Sequence, residues 1–210
     1  MKSSVIYFDF DRTLLDTDSL KLEQANRVAT ITQLTAAQVE EGMRAYVSSV
    51  DHLEFTPEGY AQFMAELFSV VPSDIIKIYL TTPSYIAQFV FPEVKQTLTE
   101  LVKRGWKIGI FSAAVPGYQR LRIEATGILE YVEKELVIID PKKTGIDALE
   151  KLPDDVIIVD DDRNVIEKLA RHMPRFRPVW CNRKTSDTLS TVPTISNLLE
   201  VLPICEQYGV

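Results

Sequence analysis

Residues 4–14 read Ser-Val-Ile-Tyr-Phe-Asp-Phe-Asp-Arg-Thr-Leu, and the abrupt passage from apolar side chains into acid within this stretch decides the fold. The run from Ser4 to Asp9 is rich in β-branched and aromatic residues, which predicts a strand buried in a parallel sheet. Asp9 and Asp11 then stand one residue apart at its carboxyl end, with Thr13 just beyond. A lone Asp at a strand-to-loop turn is ordinary, because its side chain caps nearby backbone. Two carboxylates and a hydroxyl there point instead to the crevice where open α/β sheets bind ligands.

Similar apolar runs recur at 106–112 (WKIGIFS), 135–140 (ELVIID), 155–160 (DVIIVD) and 176–181 (FRPVWC), each next to a helix-like stretch. That alternation predicts a doubly wound α/β domain with right-handed crossovers. Residues 16–91 break the pattern. The stretches 18–31, 35–50, 56–70 and 72–80 carry apolar residues at three- and four-residue spacing, with Thr, Ser or Pro at the starts. An all-helical domain inserted between the first and second strands is expected, entered near Asp16 and left near Pro92, so that residues 1–15 and 92–210 make the α/β core. After it, 92–105 reads as a helix ending at Gly105. A last helical pattern covers 195–202, and a loose end is expected beyond it.

Of the 210 residues, 46% are apolar and 25% charged, as in globular proteins. No stretch approaches the ~20 apolar residues of a membrane span and the N-terminus shows no secretory pattern, so a cytoplasmic protein without a membrane partner is expected. Cys181 and Cys205 lack metal-ligand spacing and read as packing residues. The net charge is −7, and residues 16–91 hold 4 Lys/Arg against 10 Asp/Glu. That segment would repel a long nucleic acid, whose binding relies on clustered cations.

Further polar positions close the other apolar runs: Ser112, then Lys142 and Lys143 after the third, then Asp160, Asp161 and Asp162. Ser112 alone is often a helix cap and a Lys pair often a solvated face. The triplet is different, since adjacent carboxylates raise one another's pKa unless a cation compensates. An acidic N-cap for a helix over 163–172 accounts for one Asp, not three. Magnesium takes oxygen ligands and needs only a few carboxylates plus a substrate phosphate. Asp9 and an Asp of the triplet on neighbouring strands meet that description.

These residues, in this order, resemble the haloacid dehalogenase superfamily of phosphatases, whose motifs are an Asp-x-Asp-x-Thr strand end, a Ser/Thr, a Lys and an acidic pair. The likeness covers residues 4–15 and 92 to about 202, and segment 16–91 resembles the helical cap inserted after the first motif. The resemblance implies a Rossmann-like doubly wound parallel sheet and a Mg²⁺-dependent hydrolase of a small phosphorylated metabolite, acting through an aspartyl-phosphate. It makes Asp9 the nucleophile and Asp11 the acid that protonates the leaving oxygen and later activates water. Ser112 and Lys143 would hold the phosphate, with Lys142 as the alternative to Lys143. The metal would sit on the Asp9 carboxylate, the Asp11 carbonyl and the Asp161 carboxylate, with Asp160 in support. Thr13 would bond the loop and orient Asp9, and Thr144 would cap the helix after Lys143.

Arg12 departs from the family, standing where Gly is common, and the interval from Lys143 to Asp160 is short. Asp11 favours phosphate esters over haloacids, because halide departs without a proton. A phosphomutase would use the same residues, and a phosphorylatable signalling module gathers similar ones in another order. Substrate contacts are expected from the insertion, with Arg44, Tyr46, His52 and Tyr60 as candidates. Neither the metabolite nor the oligomeric state follows from the sequence.

Overall fold

The computed structural model describes residues 4–50, 55–172 and 175–208, so His52 lies outside the described residues. Six strands form one parallel sheet: β1 (Val5–Phe8), β2 (Lys107–Ser112), β3 (Val137–Ile139), β4 (Val156–Asp160), β5 (Phe176–Cys181) and β6 (Thr194–Ile195). Their order is β3-β2-β1-β4-β5-β6. The chain thus winds outward from β1 in both directions, which places the topological switch point at the carboxyl end of β1.

Alternation across the sheet explains why its strands read as unbroken apolar runs. Ile6 and Phe8 join one buried cluster with Ile108, Ile110, Ile157 and Val159. Tyr7 faces the other way, into a cluster with Phe111, Ile158 and Phe176. Successive strand side chains take opposite faces, and both faces here are covered. On the first face lie α5 (Val94–Lys103) and α9 (Val201–Tyr208); on the second, α7 (Ile146–Glu150) and α8 (Arg163–Ala170).

Between β1 and α5 the described elements are α1 (Thr17–Thr32), α2 (Ala36–Ser49), α3 (Pro57–Phe68), α4 (Pro72–Thr81) and two 3-10 turns at Thr82–Ser84 and Ile86–Phe89. Local chemistry starts each helix. Asp16 accepts from the Ser19 N–H, Thr35 and Gln38 form a reciprocal capping box, Thr56 caps the Pro57 turn, and Pro72 opens α4. These helices share a cluster of their own around Tyr46, Tyr60, Met64, Ile75 and Tyr79. The two connections run side by side: the Asp16 N–H donates to the Phe89 carbonyl at 2.7 Å and the Phe91 N–H to the Leu14 carbonyl at 3.1 Å. Arg183, from the loop after β5, fastens both. Its guanidinium donates to the Thr13 carbonyl at 3.0 Å, pairs with Glu93 at 2.7 Å and stacks 3.7 Å over Phe91.

Several expectations are corrected. The tail is helical to Tyr208, anchored by buried Val201 and Cys205; of the 195–202 pattern, Ile195 belongs to β6, Leu198–Glu200 form a 3-10 turn, and α9 starts at Val201. Two residues of β6 are too few to show a period. Thr144 is no cap: α7 begins after Gly145 without a side-chain cap, and the Thr144 hydroxyl accepts from Lys168 at 3.4 Å. Among the described residues no helix is long and apolar enough to cross a membrane.

Gly109 in β2 is needed for want of a side chain. A Cβ there would meet the Tyr7 ring at 2.5 Å and the Leu136 carbonyl at 2.8 Å. Forcing a methyl into such a contact costs about 1–3 kcal/mol. Gly109→Ala should lower the urea midpoint accordingly, with an unchanged m-value.

Candidate active site

Four strands deliver the polar residues to one edge. The ladder continues one step past β1, with the Asp9 N–H donating to the Val159 carbonyl at 2.8 Å, so Asp9 leaves the sheet beside the end of β4. Asp160 ends β4 and Ser112 ends β2, while Lys143 lies in the turn between β3 and α7. Lys143 is buried, and its ammonium donates to Asp9 Oδ1 at 2.7 Å and Asp160 Oδ2 at 2.5 Å. Lys142 makes no side-chain hydrogen bond or ion pair among the described residues; its backbone N–H donates to Asp140 at 2.9 Å and its carbonyl accepts from the Gly145 N–H at 2.6 Å. Burial works against the charge on Lys143, but Asp160 and Asp9 outweigh it and raise its pKa.

One ammonium does not balance three acids. Ligand atoms of Asp9, Asp160 and Asp161 all lie within 4.8 Å of one another. Burial pushes the Asp9 carboxyl well up, with Asp160 and Asp161 adding to the rise and Lys143 opposing it. Asp160 is the best satisfied, holding Lys143 with one oxygen and the Asp162 N–H with the other at 2.9 Å. Asp161 has no side-chain donor among the described residues, and burial, followed by Asp160, pushes it up to about 7. A desolvated carboxylate lacking a donor is a fitting ligand for a hard cation, and Asp9 beside it supplies a second. Asp162 has a separate task, capping α8 through the Asn164 N–H at 2.8 Å.

Asp11 is held differently. Arg122 of α6 (Pro116–Ala125) grips both its oxygens, at 2.6 and 3.2 Å, while Gln119 and Thr17 each donate to it at 2.6 Å. Burial alone would raise Asp11, but Arg122, Thr17 and Gln119 overcome it and bring the carboxyl down to about 2. Gln119 also donates to the Ser112 hydroxyl at 3.0 Å, linking the second strand to this cluster. Thr13 does not orient Asp9 as expected: its hydroxyl is buried without a partner among the described residues, and Thr17 takes the loop-bonding role through the Arg12 N–H at 3.3 Å. Arg12 itself adopts a left-handed φ of 62°. That conformation favours glycine, the residue expected here from the family resemblance. Its side chain pairs with Asp18 at 2.9 Å.

The expected substrate contacts lie elsewhere. Tyr46 and Tyr60 are core residues of the inserted helices, and Arg44 is exposed beside Glu40 at 3.7 Å. Arg122, Gln119 and Thr17 went unnoticed in the sequence; the available signal was an Arg in the helix that follows the Ser112 strand. Both cysteines are free and buried, and burial pushes both thiols up to about 12.

The family model of haloacid dehalogenase-like hydrolases matches residues 4–172. The chain belongs to that family. Among solved structures, a haloacid dehalogenase-like hydrolase from Burkholderia xenovorans is similar at a TM-score of 0.78 and 18% identity, with 98% of each chain covered. A phosphatase of the family from Thermococcus onnurineus follows at 0.65 and 22%, covering 96% of this chain and 97% of its own. An L-2-haloacid dehalogenase from Xanthobacter autotrophicus gives 0.62 and 16%, with both chains covered fully at 100%. At these identities the likeness shows the fold. A comparison with curated proteins finds no match.

The raised Asp161 gives a pH test. A cation needs that carboxylate ionised, so affinity should fall by up to about tenfold per unit as pH drops below 7. Trp180, whose indole N–H donates to the Asp161 carbonyl at 2.9 Å, is a built-in reporter. Mg²⁺ titrations followed by its fluorescence at pH 5.5 and 8 should differ in midpoint, and equal midpoints would count against Asp161 as a ligand.

Proposed function

We propose that this hydrolase cleaves a small phosphate monoester, using Mg²⁺ and Asp9 as nucleophile. The observation that carries the reading is the convergence of Asp9, Asp160 and Asp161 beside a buried Lys143. Asp9 Oδ1 is held by Lys143, which leaves Oδ2 to attack phosphorus in line with the ester bond. The P–O ester bond breaks as the Asp9–phosphorus bond forms, and charge on the equatorial oxygens meets the Lys143 ammonium and the Ser112 hydroxyl. Magnesium held by the carboxylates of Asp9 and Asp161 and the Asp11 carbonyl would add positive charge at the phosphoryl group.

Asp11 suits the second step, in which a base takes a proton from water and the aspartyl-phosphate is hydrolysed. Held down to about 2, it is a base and not an acid while Arg122 grips it. Protonating an alkoxide requires that grip to loosen. We assign residues 16–91 the part of a cap over this edge, with 1–15 and 92–210 as the catalytic domain. The acid-rich cap supports a small-molecule substrate over a nucleic acid.

The sequestered Asp11 also favours a second reading, hydrolysis of a haloacid, in which halide leaves without a proton and Asp9 forms a carboxylate ester. The dehalogenase fold likeness is compatible with it. Product analysis separates the two: phosphate released from p-nitrophenyl phosphate, stopped by EDTA and restored by Mg²⁺, supports the phosphatase. Chloride released from 2-chloropropionate without added metal would replace it. In either chemistry Asp9→Asn should lower turnover by about 10³-fold or more with the fold intact.

A further inference from the structure

The segment over 16–91 has four cationic residues, Lys21, Arg27, Arg44 and Lys77. Three have acid partners on their own helices: Arg27 with Glu23 at 2.7 Å, Arg44 with Glu40 at 3.7 Å and Lys77 with Asp74 at 3.3 Å. Lys21 has Asp18 three residues back, a spacing that ordinarily pairs. That carboxylate is already taken from the core side, by Arg12 at 2.9 Å and Lys184 at 2.6 Å. Among the described residues Lys21 makes no ion pair or side-chain hydrogen bond.

Its position makes the vacancy informative. Lys21 lies one turn beyond Thr17 on α1, and the Thr17 hydroxyl holds Asp11 at 2.6 Å. The charges that act on its ammonium are those of Arg12, Asp11, Arg122 and Asp18. Lys21 is exposed, and partial desolvation by the surrounding protein, then the like charge of Arg12, lowers its pKa. An exposed ammonium with no carboxylate partner among the described residues, and with like charge nearby, gains from an arriving anion. Arg122 grips the same Asp11 carboxylate as Thr17, and its described bonds engage Nη1 twice and Nη2 once, leaving its Nε–H and one Nη2 proton unused.

We propose that Lys21 and the unused edge of Arg122 bind a second anionic group of the substrate, a carboxylate or a second phosphate, so that the natural ester is not that of a neutral alcohol. This deepens the phosphatase reading and rests on it for the identity of the first group. Three phosphonates that need no turnover test it by calorimetry with Mg²⁺ present: ethylphosphonate, phosphonoacetate and 1,2-ethylenediphosphonate. The wild-type chain should bind one of the two probes with a second anionic end about tenfold more tightly than ethylphosphonate, as expected of one charge-assisted contact. Which of the two prevails identifies the second group. Lys21→Met should bring that ratio to about one, Lys21→Arg should keep it, and Lys77→Met, on a lysine paired with Asp74, should leave it unchanged. Equal affinities for all three probes, or a ratio that survives Lys21→Met, would overturn the inference. A ratio that behaves as expected in a protein that hydrolyses no phosphate ester would uphold the anion subsite and sink the phosphatase reading alone.

Discussion

A single buried ammonium joins the parts of the chain that matter. Lys143 reaches Asp9, 134 residues earlier, and Asp160, 17 residues later, in a space closed to solvent. Removing one partner from such a buried set costs about 3–5 kcal/mol, because the remaining charge is left without compensation. The same contact occupies Oδ1 of Asp9 and leaves Oδ2, the oxygen assigned to attack in the proposed reaction, without a lysine partner. It also leaves negative charge in excess, since Asp161 sits within 4.8 Å with no side-chain donor among the described residues. Structure and proposed chemistry thus meet in one electrostatic problem: the lysine pairs with two acids, and the third is left for the cation of the proposed reaction.

The sheet makes that arrangement available. Because strands run outward from β1 on both sides, the ends of β2 and β4 flank Asp9 and bring a hydroxyl and an acid to it without long loops. The inserted helices leave and return through adjacent segments, which Arg183 ties to the carbonyl of Thr13. Movement of the insertion would therefore be felt at the loop carrying Asp11. Through Thr17 on α1 and Arg122 on α6, Asp11 is already shared between insertion and core.

The sequence made Asp9, Ser112, Lys143 and the acidic triplet legible because each closes an apolar run, and strand ends of a doubly wound sheet share an edge. The fold followed from the same runs. What it concealed were contacts between helices distant along the chain. Arg122 meets Asp11 across 111 residues, and no local spacing announces that pair. Lys21 carries the opposite lesson, since its i−3 acid looks like a partner until Arg12 and Lys184 claim it. Tyr46 and Tyr60 misled because an aromatic residue on an amphipathic helix reads alike whether it faces a ligand or a core. Thr13 and Thr144 misled because a hydroxyl's partner depends on a neighbouring turn that composition does not specify.

The covalent step is the claim on which the account stands, and trapping it is the direct test. The protein, given a rapidly hydrolysed phosphate ester with Mg²⁺, is quenched in acid during turnover, reduced with borohydride and digested for mass spectrometry. Conversion to homoserine at residue 9, with residues 11, 160 and 161 unmodified, is the predicted result. Reduction at a different acid, or turnover with no trapped residue under conditions that trap a known aspartyl-phosphate, would contradict it.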